Sequence, residues 1–471
     1  YLTYYIKMNN KFEKTIFALS SAWGMAGVSV IRISGDESKK VLRKLCNINL
    51  PKPRNAYYKK IFDLENNVID QGVITFFESP FSYTGEDTIE ISIHGSIAVI
   101  KKLLHTLKEM KDLRPSEPGE FSKRAFINKK ANLLKVEGIN NLINAETEEQ
   151  RKVSISQILG KSENICGNWK KKLLNISALI DAQIEFSEED EEIVRLNIKK
   201  QISILIGEMN KEIRNSLMTE KIINGLEIII FGPPNAGKSS VFNLINREKK
   251  SIISEEAGTT RDQVSSSIDF KGHKIDLIDS AGIRVTTNKV ENMGVEKTKE
   301  KIKEINHLIL VVSPDSLKPL NVNMIENAFK TFDKKKIIIF YNKSDLPKAN
   351  LQKKNWEESI KYLKKYPSIT ISCADNENEH NNYEKSVKLI LKHLIEKNHS
   401  NTNYSVFSEL RQIEHLKKAL RFLEVAYNLS SQIELLSEEI RLSIKEIESI
   451  TGNIDYEEKL GIIFSKFCIG K

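Results

Sequence analysis

The residues best able to do chemistry lie in the middle of the chain. Gly232-Pro233-Pro234-Asn235-Ala236-Gly237-Lys238-Ser239 reads GxxxxGKS. Between a strand and a helix, such a run wraps backbone N–H groups around phosphate oxygens, and the helix N-terminus adds positive potential. Lys238 is placed to reach the β- and γ-phosphates, and Ser239 to ligate Mg²⁺. Three further segments follow in order. Gly258-Thr259-Thr260-Arg261-Asp262 offers a second Mg²⁺ hydroxyl at Thr260. Asp279-Ser280-Ala281-Gly282 offers a carboxylate that binds Mg²⁺ through water, and a Gly282 N–H that can face the γ-phosphate. Asn342-Lys343-Ser344-Asp345 ends in a carboxylate that can accept N1–H and the 2-amino group of guanine, a donor pair adenine lacks. Ser372-Cys373-Ala374 is a fifth element of the same site. Four such segments in this order describe a guanine-nucleotide hydrolase.

One position departs from the Ras-like pattern. The residue after Gly282 is Ile283, where those enzymes carry a water-orienting Gln. An aliphatic side chain cannot polarise water, so another group is required. Arg284, Glu291 and Asn235 are the nearby candidates.

The surrounding pattern supplies the scaffold. Ile228–Phe231, Lys274–Ile278, Leu308–Val312 and Ile337–Tyr341 are short apolar runs, each followed by a polar loop or helix. That rhythm predicts a parallel sheet with helices on both faces over 223–398. Residues 131–222 and 399–471 carry helical periodicity instead. Leu173, Ile176 and Ile180 share one face, and Leu435, Leu436, Ile440 and Ile444 belong to the same texture. Residues 1–130 mix strands with turns. Val28–Ile33 and the alternating Thr88–Ile93 are strands, Glu117-Pro118-Gly119 is a turn, and Glu120–Asn128 is a helix. The expected fold is therefore α/β and α. An N-terminal α+β domain (1–130) precedes a helical domain (131–222 and 399–471), which is interrupted by an inserted Ras-like P-loop domain (223–398).

Composition sets the outer bounds. In 471 residues, 72 Lys and Arg against 63 Asp and Glu give a net charge of +9, with 40% hydrophobic residues. A wholly disordered chain is excluded. No run approaches ~18 apolar residues, so no membrane-spanning helix is expected. The charge permits a nucleic-acid partner without requiring one. Cys46, Cys166, Cys373 and Cys468 are far apart and form no CxxC pair, which excludes a disulfide framework or zinc knuckle. Tyr1–Asn10 lacks the apolar core of a signal peptide, so a cytoplasmic location is expected.

Residues outside the nucleotide motifs carry a resemblance. Arg32-Ile33-Ser34-Gly35, Thr84-Gly85-Glu86-Asp87, the run from Arg114-Pro115 through Phe121 to Phe126, and the terminal Phe467-Cys468-Ile469-Gly470-Lys471 accompany a GTPase domain inserted between helices. In this the chain resembles the MnmE (TrmE) family of bacterial and organellar tRNA-modification GTPases, from about residue 15 to its end. The resemblance implies an N-terminal tetrahydrofolate-binding domain and a homodimer formed through it. It also implies an FAD-dependent MnmG-type partner in a heterotetramer or larger complex. The implied reaction installs an aminomethyl or carboxymethylaminomethyl group at C5 of wobble uridine in certain tRNAs, with a one-carbon unit from 5-formyltetrahydrofolate or a related tetrahydrofolate.

The same resemblance assigns roles residue by residue. K⁺ replaces an arginine finger, with Asn235, Ser254, Glu256 and Thr259 as its matching ligands, the Glu256 ligand being a backbone carbonyl. The catalytic glutamate that orients water maps to Glu291. Ser240, Glu255 and Ala257 join the GTP-binding set, and Arg32, Glu90, Lys130 and Lys471 form the folate set. In that set Glu90 can accept two pterin N–H groups, while arginine and lysine neutralise the glutamate tail. Lys129 precedes Lys130, so the assignment turns on register, and Asn132 stands where Asp is common. Cys468 is either a nucleophile or a small apolar residue on the Leu460, Ile463, Phe464, Phe467 face. A ribosome-assembly GTPase with no modifying activity is the alternative reading. The terminal FCIGK and the helical surround favour the tRNA-modifying one.

Overall fold

A computed structural model of the chain describes residues 14–185, 191–246, 265–270, 272–279, 307–331, 336–347, 349–374, 379–390, 393, 404–429, 432–452, 467 and 470. It forms two compact units. One comprises Tyr1–Asn140, Gln157–Leu205 and His415–Lys471, and the other Asn141–Ser156 and Ile206–Glu414.

The first unit holds a six-stranded sheet, ordered β3-β4-β5-β2-β1-β6. Its strands are β1 (Thr15–Leu19), β2 (Ala26–Ser34), β3 (Ala56–Phe62), β4 (Val68–Phe77), β5 (Thr88–Gly95) and β6 (Leu113–Pro115). All pairings are antiparallel except β1 with β6. Ile31, Ile33, Ile89, Ile91 and Ile93 pack against Val41, Leu42 and Leu45 of α1 (Ser38–Cys46) and Leu103 and Leu107 of α2 (Ile97–Glu109). Because strand side chains alternate, Arg32 and Glu90 lie on the opposite sheet face. There α3 (Glu120–Ile127) contributes Phe121, which clusters with Ile16, Ala18 and Tyr83. Gly119, at φ 67°, starts α3 from a left-handed turn, as the Glu-Pro-Gly sequence predicts.

Helices complete this unit. In α4 (Lys161–Glu185), Leu173, Ile176 and Ile180 are buried together, as their spacing predicts. This helix packs on α5 (Ile433–Thr451), whose buried stripe is Leu436, Ile440, Ser443, Ile447 and Ile450. Leu435 is exposed and Ile444 only half-buried. Adjacent leucines stand about 100° apart around a helix, so one face cannot hold both.

The second unit holds the other six-stranded sheet, ordered β12-β11-β10-β7-β9-β8. The strands are β7 (Leu226–Phe231), β8 (Ser265–Phe270), β9 (His273–Asp279), β10 (His307–Val312), β11 (Lys336–Tyr341) and β12 (Ser368–Thr370). Both faces of its central strands are apolar, which is why they read as uninterrupted hydrophobic runs. Ile228, Ile230, Ile309, Val311, Ile338 and Phe340 pack on α6 (Lys238–Ile245) and α9 (Glu379–Ile390). Ile229, Leu308, Leu310, Ile337 and Ile339 pack on α7 (Pro319–Thr331) and α8 (Ala349–Ser359). The sheet is not wholly parallel, because β8 joins β9 antiparallel at the edge. The expected helices on both faces are present.

Candidate functional site: a phosphate loop clamped by Asn342, and an ion-paired sheet face

The phosphate loop runs from the end of β7 to the start of α6, between a strand and a helix. A Cβ on Gly232 would lie 2.1 Å from the Val311 carbonyl oxygen, so the loop leaves the sheet through a gap that admits no side chain. Gly237 sits at φ 89°, where a Cβ would meet Asn342 Nδ2 at 2.2 Å. Asn235 also adopts a left-handed conformation, at φ 61°. It is exposed, as are Ser239 and Ser240, whereas Ala236 is buried. Lys238 Nζ donates to the carbonyls of Gly232 (3.1 Å) and Pro233 (3.0 Å), which holds its ammonium over the loop.

Asn342 ties three segments together. It is 1% exposed. Its Nδ2 donates to the Ala236 carbonyl at 3.0 Å, and its Oδ1 accepts the Cys373 N–H at 3.3 Å. The phosphate loop, the Asn342–Asp345 loop and the Ser372–Ala374 loop are thus one assembly. Asp345 is exposed and accepts the Ser372 hydroxyl. Ser372 Oγ in turn accepts the Ala374 N–H at 3.3 Å, and its carbonyl accepts Asn382 Nδ2 from α9 at 2.8 Å. Sequence reasoning did not find Asn382, because a lone Asn in a polar helix carries no motif. Lys343, left-handed at φ 61°, reaches Asp315 Oδ2 at 2.7 Å. Asp279 ends β9, and its backbone pairs with Ile230 beside the loop. Ser254, Glu255, Glu256, Ala257, Gly258, Thr259, Thr260, Ser280, Ala281, Gly282, Arg284 and Glu291 lie outside the described residues.

In the first unit, Arg32 and Glu90 are direct cross-strand neighbours and form an ion pair. Both Arg32 Nε (3.0 Å) and Nη2 (2.8 Å) donate to Glu90 Oε1. The Arg32 guanidinium also lies 5.4 Å from the Tyr83 ring centroid and 5.8 Å from that of Phe121, a cation–π arrangement. Burial pushes the Tyr83 phenol above its ordinary pKa, against the pull of Ser122 and Arg32. The resemblance implies separate ligand contacts for Arg32 and Glu90; here they engage each other. Of the two adjacent lysines, Lys130 is the one at the turn. A Cβ on Gly85 would stand 3.1 Å from Lys130 Cε, so the lysine stem lies across Gly85.

Beneath that turn is a buried ionic network. Arg124, 1% exposed, donates Nη1 to both Glu86 oxygens (3.1 and 3.0 Å) and Nη2 to Glu120 Oε1 (3.0 Å) and the Lys14 carbonyl (2.9 Å). Glu120 also receives Arg114 at 2.8 and 2.6 Å, and Glu86 Oε2 accepts the Ser34 hydroxyl at 2.7 Å. Three of the four segments that carry the resemblance therefore meet in this network, through Ser34, Glu86 and the Arg114–Arg124 run. The chain end comes to the same sheet. Ser20 Oγ donates to the Gly470 carbonyl at 3.0 Å, and Phe467 packs with Leu133 and Val136. Lys471 and Cys468 lie outside the described residues, while Cys46 is buried, with its thiol pushed up to about 12 by desolvation. Among the described residues, no group of three or more His, Cys, Asp and Glu could hold a metal ion, and no helix is long and apolar enough to cross a membrane.

The family model described as "GTP-binding protein TrmE N-terminus" matches residues 15–130, and "MnmE helical domain" matches residues 133–468. The "tRNA modification GTPase MnmE" of Rickettsia bellii (strain RML369-C) is 38% identical over 467 residues, covering 97% of this chain and 100% of the relative. The protein of the same description from Wolbachia sp. subsp. Drosophila simulans (strain wRi) is 36% identical over 464 residues, covering 98% and 99%. That from Pelagibacter ubique (strain HTCC1062) is 36% identical over 464 residues, covering 97% and 100%. With a phosphate loop clamped by Asn342 and near end-to-end similarity to these relatives, the chain belongs to the MnmE family of tRNA modification GTPases.

Proposed function

We propose that the chain is a K⁺-dependent GTPase that, with an FAD-dependent MnmG-type partner, adds an aminomethyl or carboxymethylaminomethyl group at C5 of wobble uridine in certain tRNAs. The observation that carries this reading is the joint presence of an Asn342-clamped phosphate loop and the Arg32–Glu90 sheet face in one chain of this family. The proposed division has a folate-binding, dimer-forming domain at 1–130, a helical domain at 131–222 and 399–471, and a GTPase domain at 223–398.

In the GTPase domain, Lys238 transfers its ammonium from the loop carbonyls to the β- and γ-phosphates. The N–H groups at the start of α6 receive phosphate oxygens. Asp345 accepts the guanine N1–H and 2-amino group, with Ser372 fixing its rotamer. Ser239 and Thr260 would hold Mg²⁺, with Asp279 behind a water. Asn235, exposed on its left-handed turn, would hold K⁺ together with Ser254, Glu256 and Thr259. When bound, the two cations offset the charge that develops on the phosphates. Glu291 orients the attacking water in place of the absent glutamine. At the sheet face, Arg32, Glu90, Lys130 and Lys471 hold a tetrahydrofolate that supplies the one-carbon unit. The protein works as a cytoplasmic homodimer on tRNA.

The deciding experiment is nucleoside analysis of tRNA from a strain lacking this chain. The modified wobble uridine is expected to disappear, and to return with the wild-type gene but not with Lys238→Ala. Normal modification in the deletion strain refutes the proposal.

A further inference from the structure

Lys343 lies between the residue that clamps the phosphate loop and the carboxylate proposed to read the base. Its ammonium has two carboxylates to choose between: Asp345, two residues on in the same loop, and Asp315, on the turn after β10. It is Asp315 that it meets, at 2.7 Å. We propose that Asp315 is a positioning residue for guanine-nucleotide binding, which holds Lys343 to the side and keeps the Asp345 carboxylate open to the base. This rests on the reading that Asn342–Asp345 takes guanine.

The support for Asp315 is built to hold it still. Asp315 lies on a single 3₁₀ turn, Pro314–Ser316, closed by a reciprocal cap. The Ser313 N–H donates to Ser316 Oγ at 2.9 Å, and Ser316 Oγ donates to the Ser313 carbonyl at 2.8 Å. That carbonyl also accepts the indole N–H of Trp356 at 3.1 Å, from a side chain that is 0% exposed. The Ser313 hydroxyl donates to Asp315 Oδ1 at 2.6 Å, which leaves Oδ2 for Lys343. Burial pushes the Asp315 carboxyl up, but Lys343 and Ser313 outweigh it and hold it below the ordinary aspartate value, so it is ionised at neutral pH. A free lysine has large rotamer entropy and a compact charge. Released from Asp315, it competes with the base N–H groups for Asp345.

Two consequences separate this from a merely structural role. First, Asp315→Asn should weaken binding of a fluorescent GDP analogue by about three- to tenfold, and Asp315→Glu, which keeps the charge, should restore at least half of the loss. Second, the ratio of GDP to IDP affinity should fall in Asp315→Asn, because IDP lacks the 2-amino group that makes full use of an open Asp345. In a Lys343→Ala background, Asp315→Asn should have no further effect, since the residue acts through the lysine. An unchanged affinity and ratio in Asp315→Asn, or losses that simply add in the double variant, overturn the inference alone. A wild-type chain that binds neither nucleotide overturns it together with the guanine reading.

Discussion

Replacing Arg124 by Met tests the buried network beside the Arg32–Glu90 sheet face. The side chain is 1% exposed and donates to two carboxylates. Methionine keeps much of the length and apolar stem but removes every donor. Glu120 then retains Arg114, whose two nitrogens lie 2.8 and 2.6 Å from its oxygens. Among the described residues, the Glu86 carboxylate then keeps only the neutral Ser34 hydroxyl and is left as an uncompensated, largely enclosed charge. Breaking one buried pair by deleting one partner costs about 3–5 kcal/mol. With Glu120 still paired, the loss should fall near the lower end, about 3 kcal/mol, rather than twice that.

The assay is hydrogen–deuterium exchange in the full chain, read on peptides covering β2 and β5, which reports the opening free energy of this sheet. Neutralising the stranded charge in Arg124→Met/Glu86→Gln should recover part of the loss, because a half-satisfied network is worse than an apolar one. The pH dependence has a definite sign. Burial raises the Glu120 carboxyl pKa, but Arg114, the Glu117 N–H and Arg124 outweigh it, and the folded pKa lies below the unfolded one. Its contribution is therefore full above the ordinary glutamate range and is lost as pH falls through the lower folded value. In Arg124→Met that loss should begin at higher pH. A loss under about 1 kcal/mol, or a double variant no more stable than the single one, refutes the account.

Three further outcomes are expected. Steady-state GTP turnover should be at least tenfold faster in K⁺ than in Na⁺ at equal ionic strength, with the difference abolished by Asn235→Ala; equal rates in wild type refute the cation assignment. Gly237→Ala places a Cβ 2.2 Å from Asn342 Nδ2 at a φ of 89°, so GDP binding by calorimetry should weaken by about a hundredfold or more, and near wild-type affinity would show that the clamp can shift. Gly470→Ala puts a Cβ 2.2 Å from the Leu19 carbonyl oxygen, which should undock the chain end and weaken 5-formyltetrahydrofolate binding about tenfold; unchanged binding removes the tail from that site.

What could be read from the sequence was whatever covalent spacing alone determines. The phosphate loop needs Gly232, Gly237, Lys238 and Ser239 at fixed separations, and the central strands β7, β10 and β11 are apolar on both faces. Polar edges carried no such signal. Ser265–Phe270 starts with three serines and forms β8 only because β9 offers it a partner. The charged motif residues were legible as types but not as partners. Arg124 is 38 residues from Glu86 and four from Glu120, and only the folded chain shows that all three meet. Likewise, Lys129 and Lys130 differ by one register position, and the backbone turn at Lys129 (φ 57°) sends Lys130 across Gly85.

The charged residues assigned to ligands share one further property. Arg32 holds Glu90, Lys343 holds Asp315, and Lys238 holds two loop carbonyls. Each is a concentrated charge on a flexible stem, and pairing holds it ready in a defined rotamer. A ligand at such a site does not meet a free charge; it displaces an existing partner, so its net affinity is the difference between two interactions. Where both partners would face the ligand, as at the proposed Arg32–Glu90 site, the ligand gains most if it brings both an acceptor and a donor. A pterin ring linked to a glutamate carries both. An inorganic anion can satisfy Arg32 only by leaving Glu90 unpaired, and it should bind this face weakly.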